Sequence, residues 1–500
     1  MHILEKPVPS RRWWSLLIIL AGTFMGTLDM FVVNVGIPSI QRSLHSTFAQ
    51  VELVIAGYTL CYAVLLITGG RLGDLYGRKR LFQLGILSFT LTSLLCGFAP
   101  NATMLIVFRL VQGCSAALMI PQVIALIQVT FAGTQRAIAL GCYGATLGLA
   151  SITGQIVGGL LIGSNIFDLG WRSIFFINVP VGVLTLLASI PLVREFPRRS
   201  SRHLDLIGVG ILTVGLFLLA YPLIEGHDLG WPLWTFLSLL FSVPVLALFV
   251  FYEHGLTRQG GSPLVPLALF RQRNFVLGML TALVFYSANG ALFFTLALYL
   301  QFGLGFSPLV AGLTYLPMGL GFFFTSLLVP RVVSLIGGKW VLRSGAMVMG
   351  IGELWIITAV LQAGMRIPQN QLLLPLLVFG LGGGMIGAPL MNVVLSDIPS
   401  QDAGAASGLL TTAVQLSNAI GVAVIGIIFF GVLGPTTFGQ IARLSALPYG
   451  RAFVASVSAL VALAIATLLS VSLLRSPQKG QGDTAREKVS ITSLQEVAPR

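Results

Sequence analysis

Three ionisable residues stand inside apolar stretches of this chain, where water would not reach them. Asp29 lies in the segment LDMFVVNVGIP, Arg109 lies in a stretch that opens near Met104, and Glu353 lies near the middle of another. An ionised, unpaired carboxylate in such surroundings costs several kcal/mol, so Asp29 is expected to be protonated or paired. Its charge then follows solvent access and neighbouring charge, which is the chemistry of a proton carrier. The alternative is a structural carboxylate satisfied by a neighbour.

Counted from the ends of their apolar runs, Asp29 and Arg109 both fall roughly 8–10 Å below the same boundary, at 1.5 Å of helix rise per residue. Two opposite charges at equal depth suggest an ion pair that proton binding to Asp29 would weaken. The alternative is that Arg109 snorkels to the interface or bonds carbonyls only. Glu353 shares a helical face with Gly350 and Ala346, so that face packs on protein rather than lipid. It is a second proton site, a cation-binding carboxylate or a hydrogen-bonded structural acid. Asp205, Asp397, Asp402, Glu225 and Asp228 fall at span ends, where solvation or helix capping explains them.

Other patterns carry less. GGGMIG at 382–387 fits a dinucleotide fingerprint, but it lies in an apolar span, where glycines serve close helix packing. No G-x-x-x-x-G-K-[ST] is present, and the five histidines are scattered over loops without metal spacing. The four cysteines (Cys61, Cys96, Cys114, Cys142) fall inside predicted spans and suggest packing rather than a disulfide framework. Neither a cofactor nor a metal is expected.

The elements that must position these residues are membrane helices. The chain has 500 residues, 56% hydrophobic and only 9% charged, with a mean hydropathy of +0.92. A soluble protein would carry about 25% charged residues. Apolar runs separated by polar breaks predict about fourteen spans, at 13–36, 50–69, 81–99, 104–130, 138–163, 174–193, 206–224, 233–252, 275–302, 309–329, 341–363, 371–395, 405–431 and 451–474. The net charge of +13 invites a nucleic-acid reading. That reading fails, because the bases are dealt out in small groups between spans instead of forming a patch on one module.

Roughly twenty-three of the twenty-nine basic residues fall at the termini and in the connections of one side, the asymmetry of cytoplasmic loops. Both termini are therefore expected in the cytoplasm. The most prominent such loop is GRLGDLYGRKR, residues 70–80, and a shift of 260 positions lays Gly70, Arg71, Gly77 and Lys79 on Pro330, Arg331, Gly337 and Lys339. The echo has Ser334 where the first copy has Asp74. Two related halves are the pattern of a transporter built from repeats. The expected organisation is a six-helix bundle over 1–200, two additional helices over 201–255, a second six-helix bundle over 256–475 and a polar tail over 476–500.

With these residues placed, the chain resembles the fourteen-span drug:proton antiporter family of the major facilitator superfamily over about 460 residues. Asp29, Asn34 and Pro38 resemble its first-helix signature, and Gly70, Asp74, Gly77, Arg78 and Lys79 its loop signature. Arg109, Gln112 and Gly113 resemble its fourth-helix motif, and Trp171, Arg172, Phe175, Asn178, Pro180 and Gly182 the entry to its sixth span. Gly404, Ser407, Gly408 and Gln415 resemble its pattern near the thirteenth. One departure stands in the fifth span, where Gly154 is followed by Gln155 instead of the family's proline.

The resemblance implies a multi-pass transporter of the cell (inner) membrane that exports hydrophobic drugs or toxic small molecules, cationic ones included, in exchange for protons, powered by the proton-motive force. Spans 1, 4, 9 and 12 would form its centre, the loop residues would hold the cytoplasmic side closed, and Asp29, tuned by Arg109, would carry the proton. Asn289 stands 260 positions after Asp29, so the second half lacks a matching carboxylate. Candidate cavity residues are Asn34, Tyr58, Gln112, Gln155, Tyr286, Asn289, Asn392 and Gln415. The rival is a transporter of one metabolite, such as a siderophore, an amino acid or a self-made antibiotic. An intramembrane enzyme or sensor is a remoter one, lacking convergent catalytic groups or an output domain. A periplasmic adaptor enters as a partner only if the source is a double-membrane bacterium.

Overall fold

Among the described residues of the computed structural model, fourteen helices are long and apolar enough to cross a membrane. The structure describes residues 9–46, 48–165, 168–195, 205–226, 229–259, 261, 263–364, 366–395, 398, 402–434 and 446–474. The polar tail expected over 476–500 lies outside these residues, as do Asp228 and Asp397.

The first six spans are α1 (Pro9–Leu44), α2 (Phe48–Tyr76), α3 (Arg78–Gly97), α4 (Ala102–Thr130), α5 (Gly133–Ser164) and α6 (Asn178–Leu192). A 3-10 turn, Gly170–Arg172, and a short helix, Ser173–Phe176, lead into α6. The added pair is α7 (Leu206–Glu225) and α8 (Leu233–Arg258). The last six are α9 (Arg273–Leu298), α10 (Leu316–Ile336), α11 (Gly338–Gln362), α12 (Gln369–Leu395), α13 (Ala403–Leu433) and α14 (Ala446–Leu473). A π turn, Tyr299–Gly303, extends α9, and the short helix Pro308–Thr314 precedes α10.

Packing repeats between the halves. In the first, α1 packs on α5 and α6, and α4 on α2 and α3, with α3 also on α6; in the second, α9 packs on α13 and α14, and α12 on α10 and α11, with α11 also on α14. The halves meet along α2 with α13 and α5 with α10. Glycines permit that approach: a Cβ at Gly408 would stand 2.9 Å from the Leu66 carbonyl oxygen, and one at Gly141 2.6 Å from that of Ser326. The pair α7–α8 lies outside this seam, where Leu212, Leu216 and Ala220 of α7 join Leu60, Val64 and Ile67 of α2 in one apolar cluster. α8 shows its surroundings Leu240, Phe241, Val243 and Phe251, as a lipid-facing helix does.

Two expectations about local structure need correction. The segment 70–80 is not a loop: α2 runs on through Tyr76, α3 starts at Arg78, and only Gly77, at φ +104°, breaks the helix. Arg, Leu, Asp and Tyr are tolerated in a helix end, so the turn needs one residue with positive φ, which glycine supplies without a Cβ clash. The echo is built alike, with Gly337 at φ +85° between α10 and α11. Likewise α1 continues past the expected stop at residue 36 as far as Leu44.

Candidate functional site

Asp29 is fully buried in the first half, and five helices meet at its carboxylate and its partners. Arg109 Nη1 of α4 donates to Asp29 Oδ2 at 2.5 Å, closing the ion pair that equal depth suggests. Asp29 Oδ1 accepts from Asn178 Nδ2 of α6 at 2.7 Å and from Gln112 Nε2 of α4 at 3.2 Å. A second layer fixes these donors. Arg109 Nη1 also donates to Gln112 Oε1 at 2.8 Å and its Nε to the Val54 carbonyl of α2 at 3.1 Å. Asn178 Nδ2 donates to Ser93 Oγ of α3 at 3.0 Å, and that hydroxyl donates to the Phe175 carbonyl at 3.0 Å.

The guanidinium carbon of Arg109 lies 4.1 Å from the centroid of the Tyr58 ring. Such a desolvated cation–π contact contributes about 2 kcal/mol and gives Arg109 a partner that does not depend on the charge of Asp29. Packing places the whole group. Arg109 and Gly113 are one helical turn apart on α4, and a Cβ at Gly113 would press on Cys61 Cβ of α2 at 3.1 Å. Behind Asp29, a Cβ at Gly154 of α5 would stand 2.9 Å from the Leu28 carbonyl oxygen and 3.1 Å from Phe31 Cβ. A buried ion pair with further hydrogen bonds on both partners is held tightly, and removing one partner typically costs about 3–5 kcal/mol.

The second constellation lies at the end of the bundle that carries the basic turn. Asp74 Oδ1 accepts from Arg78 Nη2 at 2.8 Å and Nε at 3.2 Å, within the first half. Across the seam, the Gly404 N–H donates to Oδ1 at 3.1 Å and the Ala405 N–H to Oδ2 at 3.0 Å. Asp74 thus caps the N-terminus of α13, a helix in the opposite half, where free amides and the helix dipole favour an anion. Asp402 occupies the capping position of α13 by sequence, but its side chain makes no capping bond. Gln128 of α4 donates to the Leu395 carbonyl of α12 at 2.9 Å, and Ser407 Oγ of α13 to the Pro121 carbonyl of α4 at 3.0 Å. These bonds hold the two halves together at the basic end.

The other basic residues of the turn do different work. Lys79 Nζ donates to the Ile190 carbonyl at 2.7 Å, tying α3 to the end of α6, and Lys339 repeats this with the Leu474 carbonyl at 2.8 Å. Buried Arg71 lies within electrostatic reach of both Asp74 and Glu253. Glu253 of α8 is itself buried and accepts from the N–H groups of Leu264 at 3.1 Å and Val265 at 3.4 Å. The added helix pair is therefore connected to the turn through charge. Asp205 caps α7 by accepting from the Gly208 N–H at 3.0 Å, as span-end acids were expected to do.

The remaining candidates do not converge on one place. Gln112 belongs to the Asp29 cluster. Tyr58 and Tyr62 stack with centroids 6.0 Å apart, and both join Tyr143 in a buried cluster against which Tyr286 packs. Gln155 is half-buried where α5 meets the short helix before α10, 3.4 Å from where a Cβ of Gly312 would be. Asn289 and Gln415 are half-buried on α9 and α13. Asn392 lies apart, lining a cavity of about 100 Å³ at the basic end with Val329, Pro330 and Lys339. The side chain of Asn34 lies outside the described residues. Glu353 is buried within the second half, and neither of its oxygens has a hydrogen-bond partner among the described residues.

Sequence reasoning missed Ser93 and Asn178 as parts of the Asp29 site, and Gln128 as part of the seam. An amide such as Asn178 at the start of an apolar helix is the one signal that pointed there.

The family model described as Major Facilitator Superfamily matches residues 19–422. The chain is similar to the "probable actinorhodin transporter" of Streptomyces coelicolor, at 39% identity over 86% of this chain and 74% of the relative. It is also similar to the "tetracenomycin C resistance and export protein" of Streptomyces glaucescens, at 34% identity over 87% and 79%. Among solved structures, that of the human organic anion transporter MFSD10 superposes with a TM-score of 0.65 at 15% identity, over 93% of this chain and 100% of the other.

Proposed function

The chain belongs to the major facilitator superfamily, and from that membership we propose a proton-driven exporter of hydrophobic, drug-like small molecules, lipophilic cations among them. The basic end and both termini face the cytoplasm of a cell (inner) membrane. The observation that carries the proton coupling is the fully buried Asp29–Arg109 pair, with Gln112 and Asn178 also bonded to the carboxylate. The relatives named for resistance and export support the cargo class and the direction.

In this conformation the cytoplasmic end is shut by Asp74 on α13 and by the Gln128 and Ser407 bonds. A proton arriving from outside would add to Asp29 and convert its carboxylate to a neutral acid. Arg109 would lose its counter-charge but keep Gln112, the Val54 carbonyl and the Tyr58 ring. Because Asp29 joins α1 to α4 and α6, its neutralisation loosens one helix of the first half against two others. The halves then rock, the Asp74 contacts break, and the proton leaves to the cytoplasm as cargo enters. The charge change is local, and the two-state element it biases is the seam between the halves.

A dedicated exporter of one antibiotic is the second reading, favoured by relatives that are named for single antibiotics. Proteoliposomes with an imposed pH gradient distinguish the two readings. Cationic dyes and several unrelated lipophilic drugs should accumulate on the acidic side under the first reading, and a single compound class under the second. No gradient-driven movement of any compound would refute both.

A further inference from the structure

A small basic pocket stands at the cytoplasmic end of the first half, away from both constellations above. It is lined by Arg11, Arg12 and Ser15 of α1, Val129 and Thr130 of α4, and Leu192 and Arg194 at the end of α6. Its volume is about 100 Å³, and three of its seven lining residues are arginines with no acid among them. Arg11 uses Nη2 to hold the Pro191 carbonyl at 2.7 Å, which joins α1 to α6 and fixes the pocket wall. Arg12 and Arg194 have no hydrogen bond or ion pair among the described residues. The adjacent carboxylate, Glu195, is turned away toward Arg80 at 3.9 Å and toward Gly77.

The depth of the pocket identifies its medium. Trp13 and Trp14 share the helical turn with Arg11 and Arg12, and both are exposed. Trp13 also packs on Phe131 at the end of α4, with ring centroids 5.2 Å apart. Tryptophans in this position mark the headgroup level of a bilayer. A basic pocket between helices at that level, on the cytoplasmic side, suits the phosphate of a lipid headgroup.

We propose that Arg12 and Arg194, with Ser15 and Thr130, form a binding site for the phosphodiester headgroup of an anionic phospholipid in the cytoplasmic leaflet. Three uncompensated arginines select net negative charge, so phosphatidylglycerol is preferred over phosphatidylcholine although both carry the phosphate. The guanidinium groups supply the bonds, and the Ser15 and Thr130 hydroxyls supply short-range donors to the same oxygens. The site lies wholly within one half; it rests on the proposed orientation in the membrane but not on the proton-coupling reading.

The test uses delipidated full-length protein in neutral detergent, titrated with phosphatidylglycerol, phosphatidylcholine or inorganic phosphate. Retained lipid is read by native mass spectrometry and stabilisation by thermal melting. Phosphatidylglycerol should be retained and should raise the melting temperature, while phosphatidylcholine and millimolar phosphate should not. The R12A/R194A variant should weaken phosphatidylglycerol binding roughly tenfold or more. R12K/R194K, which keeps the charge, should stay within about threefold of wild type by the same per-charge estimate. R331A, at the exposed basic end of α10, should bind as wild type. Equal retention in R12A/R194A would overturn the site, and equal stabilisation by inorganic phosphate would make it a soluble-anion site instead.

Discussion

Replacing Asp74 by Asn tests the seam quantitatively, because its four bonds divide cleanly between the halves. The two from Arg78 lie within the first half and persist whichever way the protein opens. Only the Gly404 and Ala405 amides bias the equilibrium. A hydrogen bond to a charged acceptor contributes about 1.5–3 kcal/mol. An asparagine carbonyl can keep one such bond in its weaker, neutral form, and the favourable interaction with the α13 dipole is lost as well. The sum is a loss of about 3 kcal/mol specific to the closed basic end, a shift of roughly a hundredfold in the closed-to-open ratio. Spin labels at Tyr76 and Leu335, both exposed at the tips of the basic end, report that ratio by pulsed distance measurement. The background would lack the four native cysteines. D74N should enlarge the long-distance population by about that factor. A change below about threefold, under 1 kcal/mol, would show that Asp74 does not hold the seam.

Two further substitutions probe the interior. In G154A the new Cβ would meet the Leu28 carbonyl oxygen at 2.9 Å and push α1 away beside Asp29. Overpacking of this kind costs about 1–3 kcal/mol, so a lower melting temperature and weaker proton-driven transport are expected; wild-type behaviour in both would mean that the α1–α5 contact does not position the carboxylate. Glu353 has no partner for either oxygen among the described residues, which is tenable only for a neutral acid. E353Q should therefore melt within about 2 °C of wild type and keep its proton coupling, whereas lost coupling with intact folding would make Glu353 a second proton site.

Much of this architecture was legible because the bilayer imposes simple rules. Spans needed only hydropathy and length, and the Asp29–Arg109 pair followed from equal depth on two helices, a one-dimensional count that survives folding. The rest depended on rotation and distance in space. Asn178 lies 149 residues from Asp29, and nothing local marks which face of α6 it occupies. Asn392 looked like a cavity amide by type, but its depth on α12 puts it at the basic end. The charged residues around Gly77 suggest solvent and therefore a loop, whereas the chain there is helical on both sides of a single glycine. There Asp74 is buried against a helix end that lies 330 residues away. Charge in a membrane protein signals a partner as readily as it signals water.

The assignment of proton coupling to Asp29 can be tested without a gradient. Purified protein in weakly buffered solution is mixed with a transported drug while the pH of the medium is followed. If cargo and proton exclude each other through this carboxylate, wild type should release protons on drug binding, and D29N, which binds the same drug, should release none. Equal proton release by D29N would contradict the assignment of the coupling to Asp29.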